Sequence, residues 1–575
     1  MKTPTRALAL AVLIAMTTAG CESGPAQSNA AAPAAKTASD MAPQLVKTGF
    51  STKGGNINVL MSADFQTLDP GNSNYVQTAN VGQLYYRTLT MAKETSGQPP
   101  TVVPDLATDT GKVSEDGLSW TFTLKDGVNF EDGTPITSQD IKYGVERTFA
   151  QDVYTQAPQE LNAALDSQGY KGPYKDPSSV LNAVETPDAK TVVFRLRKPF
   201  AEFPALASRS NTAPVPKAKD SKLDYTNHPV SSGPYMVESY NRGKSLKLVR
   251  NPHWEAATDS NRTALPDTFT FSLSTSQATI SQQLLANSDP NALTLDSNGA
   301  LQTSDSAKLA DAQVKDRVAS GLLGCNDVLS INTQKLPDPA VREAIALALD
   351  RQAILVQYGG RRFGEISQTP LNSNMRGYVE QPLSLDPTGK PQLEKAKKLL
   401  EGKEFPKTLT YGYANNRDSY KNMGTVIQQN LKALGIDVQL VPIPAPNYYS
   451  IMASEQLPDL GRSGWCGGAD PASVRTSADP LLGPNNEGTS YGFSNTSRYF
   501  DPEISKAMYA LRNTEGASEK LGTEWARQFN SALKTYPIVP IIRSHTNSVV
   551  GSNIRNAQVG YFFGGIDLSI VGVEH

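Results

Sequence analysis

The stretch EDGLSWTFTLKDGVNFEDGTPITSQDIKYGVERTF at 115–149 leaves less conformational freedom than any other part of the chain. Trp120, Phe122 and Leu124 alternate with Thr121, Thr123 and Lys125, which is the period of a half-buried strand. Asp-Gly pairs at 116–117, 126–127 and 132–133 mark turns, because glycine reaches left-handed backbone conformations without steric cost. Thr137 and Asp140 then fit a capping box, and Ile141, Val145 and Phe149 recur at helical spacing. A strand, tight turns and an amphipathic helix thus follow one another closely.

The same grammar recurs elsewhere. GNINVLMS at 55–62, TVVFRLR at 191–197 and SLKLVRN at 245–251 read as strands. Asp338 and Pro339 open a helix that the pattern carries to about Tyr358, with Asp as cap and Pro in the first turn. Met423 to Leu434 is amphipathic, with Val426, Ile427, Leu431 and Leu434 inward. Gly435 ends it, and IDVQLV at 436–441 follows at once as a strand. The fold class is α/β. A chain of 575 residues is too long for one core, so two or three lobes are expected.

The N-terminus stands apart. Lys2 and Arg6 precede an apolar run from Ala7 to Met16, and Ala19-Gly20-Cys21 looks like a bacterial lipobox. Residues 1–20 read as a secretory leader, too short to span a bilayer, with Cys21 as the lipidated residue. Residues 22–53 are small, polar and dotted with proline at first, and are expected to form a flexible tether. The product would be extracytoplasmic, held at the cell membrane by lipid. The chain carries 54 basic and 56 acidic residues, and loss of the leader deepens the acidic excess. That balance argues against nucleic-acid binding. With Cys21 committed to lipid, an exported chain most simply pairs its other two cysteines, Cys325 and Cys466; two buried thiols are the alternative.

The search for chemistry is negative. The four histidines are scattered: His228 and His253 adjoin prolines, His545 lies in a late strand, and His575 is the last residue. No HExxH, nucleophile elbow, Walker loop or dinucleotide fingerprint occurs. Neither an enzyme, a metal site nor a cofactor is expected.

Four blocks, in order, carry a resemblance. They are NVLMSADFQTLDP at 58–70, the 104–149 block, SSGPYMVESYNRGKSLKLVRNPHW at 231–254 and INTQKLPDPAVREAIALALDRQAIL at 331–355. Together they resemble the family 5 extracellular solute-binding proteins of the peptide/nickel/opine type, over about residues 55–550. The resemblance implies a two-lobed clamp of the periplasmic-binding type II kind with an extra domain, its mixed sheets flanked by helices. Lobe one would take 54–84, 229–323 and 546–575, the extra domain 85–228, and lobe two 324–545. A monomer would close on its solute and be read by the permease and ATPase of an ABC importer. A peptide or peptide-like ligand is the first reading. A non-peptide solute (an amino-acid derivative, oligosaccharide or metal chelate) and a role as surface signal-peptide receptor or sensor are the alternatives.

The resemblance also nominates residues. RSGWC, Arg462 to Cys466, is similar to a cleft-lining stretch of oligopeptide-binding relatives, in which the cysteine pairs with one like Cys325. Trp465 would wall the pocket, with Ser463, Gly464, Cys466 and Gly467 beside it. Relatives place an aspartate three positions after that tryptophan, against the peptide's α-amino group. Here Gly468 stands there, and Asp470 either does the job or belongs to a structural Asp-Pro turn. Asn74, Tyr75 and Val76, just after the LDP turn, would offer backbone groups to an extended ligand. Tyr154, Tyr411 and Asn415 are further candidates. Arg462 would pair with an acid of the ligand or with a protein carboxylate. A tyrosine run of the relatives is replaced by IIRSH at 541–545, so that wall differs.

Overall fold

A computed structural model describes residues 43–575 except 74–75, 97, 156, 177, 298–300, 374, 382, 416–417, 445–446, 467–472, 486, 493, 513 and 515–518. Three main sheets organise the chain. The first has five strands in the order Thr294–Asp296, Asn56–Leu60, Thr268–Ser272, Ser245–Arg250 and Tyr235–Asn241. Asn56–Leu60 runs parallel to both its neighbours, while the last three strands are antiparallel. Ile57, Val59, Leu246, Leu248, Phe269 and Phe271 are fully buried in its core.

Between Asn56–Leu60 and its partner Thr268–Ser272 the chain makes a long excursion. Part of it builds an antiparallel sheet from Lys112–Val113, Ser119–Thr123, Thr191–Arg195 and Val184–Glu185. Here the alternation is realised: Trp120, Phe122 and Leu124 are buried, and Thr121, Thr123 and Lys125 are not. Gly117, Gly127 and Gly133 all adopt positive φ. The helix Ser138–Thr148 starts on the Thr137–Asp140 capping box and packs Ile141 and Val145 onto Phe122 and Phe194.

The third sheet has six strands in the order Gly364–Ile366, Ile538–Val549, Val318–Ile331, Leu460–Trp465, Thr408–Ala414 and Asp437–Ile443. Helices cover it, among them Asp418–Lys432, which ends before Gly435 at φ +75° and feeds the strand at 437. The helix expected from 339 to 358 is two helices, Pro339–Ala348 and Arg351–Gln357. Leu349 is extended, and Asp350 caps the second helix by accepting the Ala353 N–H at 2.9 Å. Capping by a short acidic side chain competes with helix continuation, and the apolar pattern alone does not register that.

Two strands are unusually long: Val318–Ile331 with 14 residues and Ile538–Val549 with 12. They pair antiparallel. At one end Val318 and Val549 pack with Leu60, Ile280 and Leu284; at the other, Val328 to Ile331 and Ile538 to Ile542 enter the largest core. Their register shifts between Leu322 and Asn326. The N-terminal segment also differs from expectation. Gln44 bridges to Ser320, Val46 bridges to Ala557 and is 2 % exposed, and the Phe50 N–H reaches Asn556 at 3.0 Å. Residues 44–50 are therefore docked on the body, within the segment expected to be a tether. Two isolated apolar residues carry no period, so only their docking reveals them. Among the described residues no helix is long and apolar enough to cross a membrane.

Candidate ligand-binding site

The strand Leu460–Trp465 lies between Val318–Ile331 and Thr408–Ala414. Its glycines answer to close packing. A Cβ on Gly464 would lie 2.1 Å from the Asn326 carbonyl oxygen, and one on Gly461 would lie 2.4 Å from Met452 Cε. Cys325, in the shifted stretch of the long strand, is disulfide-bonded to Cys466 across 141 residues of chain. The bond ties the end of the RSGWC strand to the point where the long pair loses its regular register.

Arg462 sits beside Asp327 on the neighbouring strand and forms an ion pair with it. Its Nε donates to the Tyr358 hydroxyl at 3.1 Å, and its guanidinium lies 4.4 Å over the Tyr420 ring. Asp327 also accepts from Ser544 Oγ at 2.9 Å. Burial works against the arginine's charge, but Asp327 and the nearby tyrosines Tyr358, Tyr420 and Tyr449 together outweigh it and hold the pKa well above the ordinary value. The counter-charge is thus a protein carboxylate. Ser463 is buried and accepts from Thr496 Oγ1 at 3.1 Å. Trp465 packs partly buried on the largest core, and its buried indole N–H has no partner among the described residues.

Other nominated residues fall in different settings. Tyr411 is fully buried beside Tyr413 in the largest core, and burial pushes its hydroxyl pKa well up. Asn415 is exposed just past the strand Thr408–Ala414, its N–H bonded to the Ile443 carbonyl at 3.0 Å. Tyr154 is fully buried and lends its hydroxyl to Arg147 at 2.6 Å and Tyr174 at 2.9 Å. Neither tyrosine presents a face to solvent, because each is enclosed by its own core. Val76 begins the helix Val76–Tyr85. Asn74, Tyr75, Gly467, Gly468 and Asp470 lie outside the described residues, as does Cys21.

Two arrangements escaped the sequence reading. Arg147 forks onto Asp69 of the LDP turn, at 3.1 Å to Oδ1 and 2.6 Å to Oδ2, and reaches Asp220 at 3.1 Å. Asp69 itself caps the turn by accepting the Gly71 N–H at 2.9 Å. The turn that leads into residues 74–76 is thereby bolted to the helix Ser138–Thr148. Second, Glu94 is buried with no ion-pair partner among the described residues and accepts the Phe562 N–H at 3.0 Å. Burial, then nearby Asp567, push its pKa up to about 8 against the backbone donors of 561–563. No local signal marks either, since the partners are distant in sequence. Among the described residues no cluster of His, Cys, Asp and Glu could hold a metal ion.

Separate sheet cores, long strands running from one to another, and a disulfide-tied strand beside them define a two-lobed binding protein. The comparisons agree. The solved structure of clavulanic acid biosynthesis oligopeptide binding protein 2 superposes with TM-score 0.82 at 26 % identity, covering 92 % of this chain and 97 % of that one. The unliganded open form of the murein tripeptide binding protein MppA gives 0.67 at 21 % identity, covering 92 % of this chain and 99 % of that one, a likeness of fold. The probable D,D-dipeptide-binding periplasmic protein DdpA of Escherichia coli K12 is 27 % identical over 399 residues, 66 % of this chain and 68 % of that protein. The glutathione-binding protein GsiB of Salmonella paratyphi A is 24 % identical over 535 residues, 89 % of this chain and 94 % of that protein. The chain matches the family described as bacterial extracellular solute-binding proteins, family 5 (Middle), over residues 101–489, and it belongs to that family. It is a binding protein of solute transport, not an enzyme.

Proposed function

We propose that this chain is the lipid-anchored, peptide-binding receptor of an ABC importer. The observation that carries the ligand class is that relatives found by separate routes are named for an oligopeptide, a D,D-dipeptide and glutathione. All three are peptides or peptide-like. The lobes are those of the sequence reading, with 43–53 added to the first, and each has its own sheet and core. The two long strands act as the hinge, and the solute is enclosed as the lobes close. The ligand lies extended, with backbone bonds from residues 74–76 and the Trp465 ring and indole N–H against it. Arg462, already neutralised by Asp327, shapes that wall rather than supplying a free charge. Asp470 holds the ligand's ammonium group.

Native mass spectrometry of protein purified without refolding tests the reading directly, with co-purified peptide as the expected result. Calorimetry with the recovered peptide then compares wild type with Asp470→Ala. A loss of about 100-fold is expected for a stranded, desolvated ammonium. Unchanged affinity would make Asp470 a turn residue. Metabolic labelling with palmitate, lost in Cys21→Ser, tests the anchor.

A further inference from the structure

Arg475 projects from the first turn of the helix Val474–Leu482, which follows the RSGWC strand and the undescribed residues 467–472. Its Nε donates to Glu202 Oε2 at 2.8 Å, and its guanidinium lies 4.9 Å over the Phe200 ring. Nearby, Lys198 Nζ lies 5.6 Å from the ring centroid of Tyr509 on the helix Pro502–Arg512. The two sides of this contact belong to different cores. Phe203 and Leu206, just past Glu202, pack in the core of the four-stranded sheet, with Phe200 against it. Val474, Ala478, Leu481 and Met508 pack in the core of the six-stranded sheet.

The pair is sheltered as well as placed. The side chain of Arg475 is 17 % exposed and that of Glu202 is 9 %. A charge pair so enclosed is screened little by salt, and loss of one partner strands the other. A movement that parts the two cores must break the ion pair and both cation–π contacts together. Both groups would then be hydrated, so the contact contributes only to arrangements in which the two cores meet as they do here. Closure responds only to interactions that differ between the two states.

We infer that Glu202 and Arg475 form a latch between the inserted domain and the larger lobe, which stabilises the closed clamp and sets how long it holds its solute. The latch rests on the clamp reading above but not on the identity of the solute. Both are positioning residues, since neither needs to touch the ligand.

The test uses the full chain with Cys21→Ser, which blocks lipid attachment, and needs no ligand. Small-angle scattering and hydrogen exchange are compared for this parent, Glu202→Ala, Arg475→Ala, Lys198→Ala and the charge-exchanged pair Glu202→Arg with Arg475→Glu. Either ion-pair variant is expected to expand the particle and to raise exchange about tenfold at 198–207 and 474–482, an open population consistent with loss of a sheltered pair. Lys198→Ala should do the same more weakly, and the exchanged pair should return both readouts most of the way to the parent. Profiles of the single variants that superimpose on the parent would overturn the latch. So would expansion that charge exchange fails to reverse, since that marks damage to the fold rather than a broken contact. Adding a pool of di- to pentapeptides separates the two ideas. If the parent binds no peptide while the variants still expand, the latch stands and the peptide reading falls.

Discussion

The LDP turn and the RSGWC strand each depend on an arginine paired with aspartate, yet they are built differently. Arg147 is fully enclosed, has two carboxylates, a tyrosine hydroxyl, and the rings of Tyr154 and Tyr225 around it, and no covalent link nearby. Burial works against its charge, but Asp69, Tyr154 and Asp220 outweigh it and keep its pKa raised. Arg462 keeps 17 % of its side chain exposed, has one carboxylate, and lies on the strand that leads into a disulfide. An ion network sealed from water has no substitute if one member is lost, whereas the strand shares its load among an ion pair, an aromatic face and a covalent bond. The first design fixes a turn. The second keeps a polar wall near solvent without depending wholly on charge.

Five measurements would break or sharpen that contrast. Arg147→Met should have the largest effect, a loss of about 3–5 kcal/mol in denaturant unfolding, because Asp69 and Asp220 are then left buried together. A loss no greater than that for Arg462→Met would erase the distinction. Next, Cys466→Ser should lower stability by roughly 2–4 kcal/mol, as the bond closes a loop of 141 residues. Thiol alkylation of the unreduced protein carrying Cys21→Ser should find no free cysteine.

Glu94 is a third case, a buried carboxylate held by backbone donors in place of an arginine. Its folded pKa of about 8 lies above the ordinary 4.5, so between those values the native chain keeps a proton that the unfolded chain has released. Stability from this group is therefore present below about pH 4.5 and falls as pH rises toward 8. Melting curves from pH 5 to 9 should show Glu94→Gln gaining on wild type, by of order 2 kcal/mol at the alkaline end. A constant gap across the range would mean that the carboxyl does not titrate there. The smallest effect is expected for Arg462→Met, about 1–2 kcal/mol in the same unfolding assay, since partial exposure and the disulfide soften the loss.

The legible parts of the molecule were those with a short period. Trp120, Phe122 and Leu124 announced their strand, and Thr137 and Asp140 announced the helix beside it, because strand alternation and capping are set by neighbours along the chain. Gly435 marked its helix end for the same reason. The break at Leu349–Asp350 was hidden inside a continuous apolar pattern, and the docking of Val46 and Phe50 had no pattern at all. At the candidate site, RSGWC was nominated by its resemblance to a stretch of the family. The carboxylate that answers Arg462 was not, because Asp327 meets it only through strand pairing.

By itself the sequence determined the α/β class and the family, since each rests on local spacing or on ordered blocks of residues. Tertiary structure alone decided which charges meet: Arg462 with Asp327, Arg147 with Asp69 and Asp220, Arg475 with Glu202, and Glu94 with backbone donors. The physical reason is range. Turn and helix preferences act over a few residues, whereas a buried charge finds its partner only when packing brings distant strands together and excludes the water that would otherwise satisfy it.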